Sequence, residues 1–540
     1  MLFNSAVFIL AFLPLSWAGF FALGLRGYHR LAVLWLALAS LFFYGWWNTT
    51  YVPLLLGSMA VNYAIGRALA RQPSKPLLIA GVAANLALLG YYKYAGFLVQ
   101  VVDGVSGAAF PIPEIALPLA ISFFTFQQIA FLVDSYDGVA EEANLTNYAM
   151  FITFFPHLIA GPITHHKEML PQFADRRIFR PQPDMVALGL TLFLLGLAKK
   201  VILADSVATW VRPVFASAAS GGAPDLIQSW LAAVGYALQI YFDFSGYTDM
   251  AIGIAMLFGI RLPRNFDSPY KRRNIIEYWA HWHMTLTRFL TAYIYNPIVL
   301  PLTRARMQKG KPGLRRGKTT PGAFAVLVAM PTMITMLLAG LWHGAGWQFI
   351  VFGGLHGFYL AVNHAWRTLK AYWGWKADSE RALPRAVSVL TTFLCVIAAL
   401  VFFRSANVGT ALTVLSGMAG QHGAVLPYDF DKIPGVWRIG TLLHVTFGPV
   451  DSPVNEAMFV TLLLVIVWVF PNTQQWLRRF ETGLGTQPRE SAAERRGGLA
   501  ARLAVWRPTA AFGVAVGVVG FFSLMRALSA APSEFLYFKF

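Results

Sequence analysis

Two histidines lie in a glycine-rich apolar stretch, LAGLWHGAGWQFIVFGGLHG, at positions 338–357. His343 stands between Trp342 and Gly344, and His356 follows thirteen residues later. A neutral imidazole can act as a general base near neutral pH, so His343 is the first candidate for chemistry. The separation of the two histidines excludes a shared metal at i, i+4 spacing on one helix face.

The glycines around these histidines form pairs at four-residue spacing, Gly340 with Gly344 and Gly353 with Gly357. Small residues at this spacing allow membrane helices to approach one another closely. Helix packing therefore explains the four glycines. Glycine beside His343 would also leave room for a substrate chain, so both interpretations stay open.

A second histidine candidate lies in the segment EYWAHWHMTL, at positions 277–286. Pro269 limits how far a helix can extend backward, so we predict a helix from about Asn274. Successive helix residues turn by about 100°, which points His281 and His283 in nearly opposite directions, so only one can face inward. A single buried histidine is more often structural than catalytic.

A third polar cluster interrupts the apolar run YALQIYFDFSGYTDMAIG, at positions 236–253. Asp243 and Tyr247 share one helix face at i, i+4 spacing, and Asp249 follows. Ionisable residues at membrane depth are costly and are usually functional or paired internally. Two interpretations remain open: a polar wall that lines a buried channel, or a network of interhelical hydrogen bonds that serves packing alone.

The elements that must position these residues are predicted to be membrane helices. The chain has 540 residues, 57% hydrophobic and 13% charged, against about 25% charged in soluble domains. Apolar runs of 18 or more residues recur, and only helices satisfy the backbone of such runs in lipid. We predict an all-α polytopic membrane protein with about 11–13 transmembrane or re-entrant helices. The candidate runs lie near 4–24, 31–47, 52–70, 77–98, 112–133, 148–163, 185–206, 228–258 (long enough for two passes or a re-entrant pair), 276–300, 322–342, 346–366, 386–403, 454–470 and 508–528.

The net charge of +18 follows from 43 Lys and Arg against 25 Asp and Glu. The cations stand in short connections between apolar runs, as the positive-inside rule describes, and we predict no nucleic-acid partner. We place the 404–453 connection, which is poorer in cations, outside the cell. The basic stretches predicted to face the cytoplasm are 165–181, 261–273, 303–318 and 478–502.

Several common active sites find no support in the sequence. The single cysteine, Cys395, lies within an apolar run, which leaves neither a disulfide framework nor a thiol metal site. The chain contains no HExxH, CxxC, Walker A or GxSxG motif, so metal, nucleotide and serine-hydrolase interpretations weaken. We predict no metal and no tightly bound cofactor. The N-terminal segment lacks a signal-peptide pattern and is interpreted as a retained first helix.

An ordered set of segments resembles the membrane-bound O-acyltransferases (MBOAT), and within them the bacterial alginate O-acetyltransferase branch. It covers roughly residues 1–420. The segments are MLFNS (1–5), FYGWW (43–47), YKYAGF (92–97), LPLAISFFTFQQIAFLVDSY (117–136), FPHLIAGPI (155–163), YFDFSGYTDMAIGIAMLFGI (241–260), RNFDSPYKRRNIIEYWAHWHMTLTRFL (264–290), GLWHGAGWQFIVFGGLHG (340–357) and FFRSANVGTALTVLSGMAG (402–420).

The resemblance implies specific site residues. The invariant histidine of the family's WHG motif corresponds to His343, and a second position, Asn, Asp or His in the family, corresponds to His283. It also implies helices around a central tunnel, with Asp243, Tyr247, Trp342 and Gly344 as candidate tunnel residues. Residues 1–420 would form the catalytic core. Residues 421–540 would add membrane helices, an external loop at about 421–453 and a cytoplasmic basic loop at about 478–502.

The implied activity is transfer of an acetyl group from cytoplasmic acetyl-CoA across the cell inner membrane, to O-acetylate an exported polysaccharide such as alginate. The implied partners are membrane lipid, the polysaccharide, and a periplasmic or membrane-anchored acetyltransferase of the SGNH type with a Ser-His-Asp site. Within the family, D-alanyl transfer to teichoic acid is the alternative. From a different class, a secondary transporter or channel would explain Asp243 and Asp249 equally well.

Overall fold

The computed structural model describes residues 1–113, 115–139, 144–375, 382–430, 432, 445–448, 452–485, 505–507, 509–529 and 531–536. Within these residues the regular secondary structure is helical except for two short parallel strands, Ala424–Pro427 and Val445–Gly448, and one isolated β-bridge between Pro263 and Leu484. The predicted all-α class is confirmed. Of the predicted loops, residues 486–502 of the basic loop and most of 431–451 lie outside the described residues.

The chain divides into two compact units that alternate along the sequence. The first unit contains Met1–Ile202, Phe244–Asp267 and Thr473–Phe540, and the second contains Leu203–Asp243 and Ser268–Asn472. The boundary at residue 420 was drawn where the family resemblance ends, and it stays a prediction.

Helices of the first unit include most of the N-terminal predicted runs. Its α-helices are Leu13–Leu25, His29–Gly45, Val52–Arg71, Lys75–Leu89, Ala95–Ser106, Ile121–Tyr136, Leu145–Thr153, Phe155–Leu158, His166–Ala174, Pro183–Ala198, Thr473–Trp476 and Ala510–Ser529. Its π-helical turns are Phe8–Phe12 and Gly90–Tyr94, and its 3₁₀ turns are Thr49–Tyr51 and Arg176–Phe179.

The second unit contains both candidate histidines. Its α-helices are Asp205–Ala219, Ile275–Trp279, Met284–Leu290, Asn296–Gln308, Pro321–Phe324, Met330–His343, Trp347–Tyr372, Ala382–Arg404, Val408–Met418 and Val454–Val469. Its π-helical turns are Thr291–Tyr295 and Ala325–Ala329, and its 3₁₀ turns are Pro269–Lys271 and Tyr428–Phe430. The π-helical turn Lys199–Ala204 and the helix Leu226–Leu257 contribute residues to both units.

Seven helical segments in the described part of the chain are long and apolar enough to cross a membrane. Three shorter apolar helices accompany them, at His29–Gly45, Val408–Met418 and Val454–Val469. Many of these helices expose large apolar side chains, such as Leu15 and Phe521, which are more than half exposed. Such surfaces suit contact with lipid chains. The exact number of crossings stays a prediction. The seven segments are Phe8–Leu25, Thr49–Arg71, Lys75–Ser106, Pro183–Ala219, Pro321–His343, Leu383–Arg404 and Ala510–Ser529.

The predicted run 228–258 forms one continuous helix of 32 residues, Leu226–Leu257, so the expectation of two passes or a re-entrant pair is wrong. No proline interrupts the segment, and isolated glycines do not end a helix that is packed tightly. Two of these glycines contact the helix Pro183–Ala198: an added Cβ at Gly253 would lie 2.5 Å from the carbonyl oxygen of Gly189, and one at Gly246 would lie 2.7 Å from that of Gly196. The glycines therefore permit backbone contact rather than a turn.

Candidate functional site

His343 is the last residue of the helix Met330–His343 and is 3% exposed. The helix ends there because Gly344 adopts an extended backbone, and a new helix begins at Trp347 after Gly346 at its N-cap. The short connection between two apolar helices therefore holds the imidazole within the protein rather than in a solvated loop.

Aromatic rings surround the His343 imidazole. The ring centroids of Trp342, Phe352 and Phe403 lie 5.0, 5.8 and 5.1 Å from that of His343, at interplanar angles of 67°, 88° and 73°. Phe352 and Phe403 also contact each other, with centroids 5.0 Å apart. We call these three residues with His343 the aromatic box. Edge-to-face contacts of this kind fix the orientation of a ring.

The glycines of this stretch allow the two helices on either side of the connection to pack closely beside the aromatic box. A Cβ at Gly340 would overlap the carbonyl oxygen of Phe349 and lie 3.0 Å from the Cα of Gly353. A Cβ at Gly344 would overlap the Phe349 ring. The packing interpretation is confirmed at these positions, because neighbouring protein atoms fill the space that the missing side chains leave.

His283 is fully buried and lies beside the aromatic box. Its ring centroid is 6.4 Å from that of Trp342, so the same tryptophan contacts both His283 and His343, which are 60 residues apart in the sequence. The backbone of His283 is left-handed, with φ 43° and ψ 53°. A non-glycine residue in this region carries strain of about 1–3 kcal/mol, and such strain is concentrated at functional sites.

The left-handed residue also explains why the predicted helix 276–300 is wrong as a single element. The helix Ile275–Trp279 begins as expected after Asn274, whose side-chain oxygen accepts a hydrogen bond from the backbone N–H of Glu277 at 3.1 Å. It ends before His281, and a second helix begins at Met284. The break at His283 points that side chain into the protein, while His281 stays partly exposed. Only one of the two histidines is fully buried, as predicted.

His356 is buried but is held by a packing contact. Its Nδ1 accepts a hydrogen bond of 3.2 Å from the indole N–H of Trp279, and its ring lies 4.7 Å from that of Phe352. This arrangement accounts for His356 without a reaction, and it distinguishes this residue from His343 in the same stretch.

The two tunnel candidates on the helix Leu226–Leu257 are both buried, Asp243 at 1% and Tyr247 at 4% exposure. The Tyr247 ring is stacked on Phe3 at 4.7 Å and on Phe535 at 4.6 Å, so rings from near both chain ends hold it. Packing accounts for the position of Tyr247. A tunnel role for Asp243, Tyr247, Trp342 and Gly344 stays a prediction.

Asp249, in the same polar run, belongs to a network of charged and amide groups. Its carboxylate forms an ion pair of 2.6 Å with Lys199 and accepts a hydrogen bond of 3.0 Å from the side-chain amide of Gln474. Thr482 in turn donates to Gln474 at 2.8 Å. For Asp249 these contacts favour the interpretation of a packing network over that of a channel wall.

Sequence reasoning missed a cluster of three residues, Asp134, His165 and His166. One candidate ligand atom from each residue lies within 4.8 Å of the other two. The two histidines appear in the sequence analysis only as part of a basic stretch, and Asp134 only as part of the segment 117–136. No motif relates a residue to two neighbours about thirty positions away. Adjacent histidines were the only available signal.

Residues 114–309 match the model of the membrane-bound O-acyltransferase family. The chain is 40% identical to a peptidoglycan O-acetyltransferase of Helicobacter pylori over 79% of its own length and 81% of that protein. It is 32% identical to a probable alginate O-acetylase of Azotobacter vinelandii over the full length of both. A more distant relative is a teichoic acid D-alanyltransferase of Streptococcus thermophilus, 28% identical over 53% of this chain and 68% of that one.

The chain belongs to the membrane-bound O-acyltransferase family. It is a multi-pass membrane enzyme that transfers acyl groups, and the relatives named above are O-acetyltransferases of peptidoglycan and alginate. The family resemblance expected from the sequence is confirmed, as is its branch of alginate O-acetylases.

Proposed function

We propose that this protein transfers the acetyl group of cytoplasmic acetyl-CoA through the cell inner membrane to O-acetylate an exported polysaccharide. The relatives named for alginate support alginate as the first acceptor to test. The relative named for peptidoglycan shares the higher identity and supports peptidoglycan as the second. The basic connections predicted to face the cytoplasm support entry of the donor from that side.

The observation that carries the proposal is the enclosure of His343 in the aromatic box, with His283 contacting the same tryptophan. A buried imidazole held by ring edges is positioned to within a narrow range of orientations, which general-base catalysis requires. His343 is the proposed catalytic base. His283 is the proposed orienting residue for donor or acceptor.

The proposed reaction is a single acyl transfer. His343 removes the proton of the acceptor hydroxyl, and the oxygen attacks the thioester carbonyl carbon of acetyl-CoA. A C–O bond forms, the C–S bond breaks, and the CoA thiolate takes the proton back from the imidazolium. Acetyl-CoA is multiply charged, so only its acetyl group and pantetheine arm can enter the hydrocarbon region. We therefore expect a narrow tunnel between the two membrane faces.

The acceptor hydroxyl belongs either to the polysaccharide or to a relay protein. We favour a relay through a periplasmic or membrane-anchored acetyltransferase of the SGNH type, because this chain has no nucleophilic serine motif of its own. Deletion of that partner is expected to leave slow CoA release and an unacetylated polymer. A fully acetylated polymer in the deletion strain would leave this chain as the sole transferase.

One assay distinguishes the proposed acetyl transfer from two alternatives, D-alanyl transfer and transport without chemistry. The purified protein is incubated with acetyl-CoA and, separately, with D-alanine carried on its activated donor. Release of free CoA is measured in the first reaction, and loss of D-alanine from its donor in the second. We expect CoA release above a heat-inactivated control. A transporter or channel would release none, and its main support weakens because the ion pair with Lys199 accounts for Asp249. Transfer of D-alanine alone would favour the teichoic acid alternative.

A further inference from the structure

Two adjacent imidazoles converge on one carboxylate oxygen in the first unit. The Nε2 atoms of His165 and His166 lie 2.7 and 2.8 Å from the same Oδ2 atom of Asp134. Asp134 lies near the end of the helix Ile121–Tyr136, and the histidines stand where the helix His166–Ala174 begins. Asp134 and His166 are buried, while the side chain of His165 is 25% exposed.

The two imidazoles can converge because His165 and His166 stand at the N-terminus of a helix rather than within it. Side chains of neighbouring helical residues diverge by about 100°, which would separate adjacent imidazoles. His165 is instead the N-cap residue with an extended backbone, φ −105° and ψ 142°, so its ring turns back toward that of His166. The two ring centroids are 4.3 Å apart. The ring of His166 is further oriented by the edges of Phe131 and Phe151, at 6.0 and 6.4 Å.

The spacing of the three ligand atoms is close to that of a metal centre. Two histidine nitrogens and one carboxylate oxygen form a donor set that divalent zinc, iron and cobalt accept. Bonds of about 2.0–2.2 Å at a tetrahedral angle would separate a nitrogen from the oxygen by about 3.3 Å. The observed contacts would therefore open by only about half an ångström to admit the ion.

From this convergence we propose that Asp134, His165 and His166 form a binding site for a divalent transition-metal ion, with zinc as the reference ion. The proposal departs from the prediction of no metal, which rested on the absence of known motifs. Three protein ligands leave one position of a tetrahedron for water or another small ligand. The partly exposed face of His165 is the side from which that ligand exchanges. The ion would join the helix Ile121–Tyr136 to the helix His166–Ala174, independently of the chemistry at His343.

Metal binding would change the hydrogen bonds of His165 in a defined way. Its Nδ1 accepts a long hydrogen bond of 3.3 Å from the backbone N–H of Lys167, so the ring proton resides on Nε2. A metal on Nε2 moves that proton to Nδ1. The carboxylate of Glu168 belongs to the same N-cap, where it accepts a hydrogen bond of 3.2 Å from the backbone N–H of His165. Ligating histidines usually donate their second nitrogen to such a carboxylate.

The test uses the full-length protein in detergent, carrying an affinity tag without histidine. The protein is equilibrated with Zn²⁺, desalted, and its bound metal measured by mass spectrometry, with Co²⁺ absorption as a second measurement on the same protein. We expect about one zinc per chain and cobalt d–d bands typical of nitrogen and oxygen ligands. No bound zinc above the level of the variants below, together with a cobalt spectrum of the hydrated ion, would overturn the proposal.

His165→Asn is the sharpest variant, because asparagine caps a helix well while removing the imidazole ligand. Its metal affinity should fall by more than the roughly 10–100-fold that loss of an outer partner causes. Asp134→Asn should behave alike. His364→Asn is the matched control: it removes a partly buried histidine from another helix and should retain the full metal content. Equal loss of zinc in all three variants would show scattered histidine binding and reject the site.

Discussion

Buried polar groups in the two units have different neighbours. In the first unit, the carboxylate of Asp249 is held by the ammonium group of Lys199 and the amide of Gln474. In the second unit, the His343 imidazole is surrounded by three aromatic rings. A buried carboxylate needs a partner of opposite charge, and a pair of this kind can serve packing alone. Contacts with the rings hold the His343 imidazole in a defined orientation, which proton transfer requires.

Breaking the ion pair between Lys199 and Asp249 should cause the largest loss of stability. Lys199→Met would leave the Asp249 carboxylate buried without its cation, which typically destabilises a protein by about 3–5 kcal/mol. The double variant Lys199→Met with Asp249→Leu should recover most of that loss, because no charge remains buried. Thermal unfolding in detergent and the amount of protein in the membrane measure both. If the single variant is as stable as the unaltered protein but has lost acyl transfer or transport, Asp249 serves the function of the protein rather than its packing.

Disturbing the close contact between the helices Met330–His343 and Trp347–Tyr372 should cause the next largest loss of stability. A Cβ at Gly353 would overlap the carbonyl oxygen of Met336, whereas one at Gly354 would meet only a methyl group of Leu337, at 3.6 Å. Gly353→Ala should therefore destabilise the protein by about 1–3 kcal/mol, as overpacking does. Gly354→Ala is the matched control and should be neutral or slightly stabilising, since alanine favours helix. Equal stability of the two variants would show that close packing does not position His343.

His283 tests how much of the site depends on backbone geometry. Asparagine tolerates the left-handed conformation far better than other residues and keeps a polar side chain. We expect His283→Asn to retain most activity and His283→Ala to lose about tenfold in kcat with a smaller change in KM. The measurement is steady-state CoA release by the purified variants. If alanine and asparagine lose activity equally, the imidazole itself is required and His283 is more than an orienting residue.

Orientation of the chain can be tested with no expected loss of activity. Gly313 lies in the basic connection 303–318 with open space around its Cα, so Gly313→Cys in a Cys395→Ser background should fold normally. A cytoplasmic position predicts protection from an impermeant thiol reagent in intact cells and labelling after permeabilisation. Labelling of intact cells would show that the predicted orientation is wrong and that the donor reaches His343 from the other membrane face.

Most of the helices can be predicted because the length of each apolar run can be read directly from the sequence. The run predicted at 322–342 is found within Pro321–His343, and 454–470 is found as Val454–Val469. Errors arose where backbone geometry, not composition, decides. Nothing in the segment EYWAHWHMTL indicates that His283 is left-handed, so a continuous helix was expected there.

The candidate site was predictable only in part. His343 and His283 were identified as residues, but their shared contact with Trp342 depends on how helices 60 residues apart pack. The convergence of His165 and His166 on Asp134 was missed for a similar reason. It requires both an N-cap conformation and a partner on another helix, and neither leaves a periodic pattern in the sequence.

The central claim, that His343 is the catalytic base, is tested most directly by comparing two histidines of the same stretch. His343→Ala and His356→Ala are purified alongside the unaltered protein, and acetyl-CoA-dependent CoA release is measured after matching their folded amounts by thermal unfolding. We predict a fall of about 10²–10⁴-fold for His343→Ala with an unchanged unfolding temperature, since removing a general base reduces rate rather than stability. His356→Ala should keep measurable activity, because its contact with Trp279 serves packing. Undiminished CoA release by folded His343→Ala protein would contradict the account.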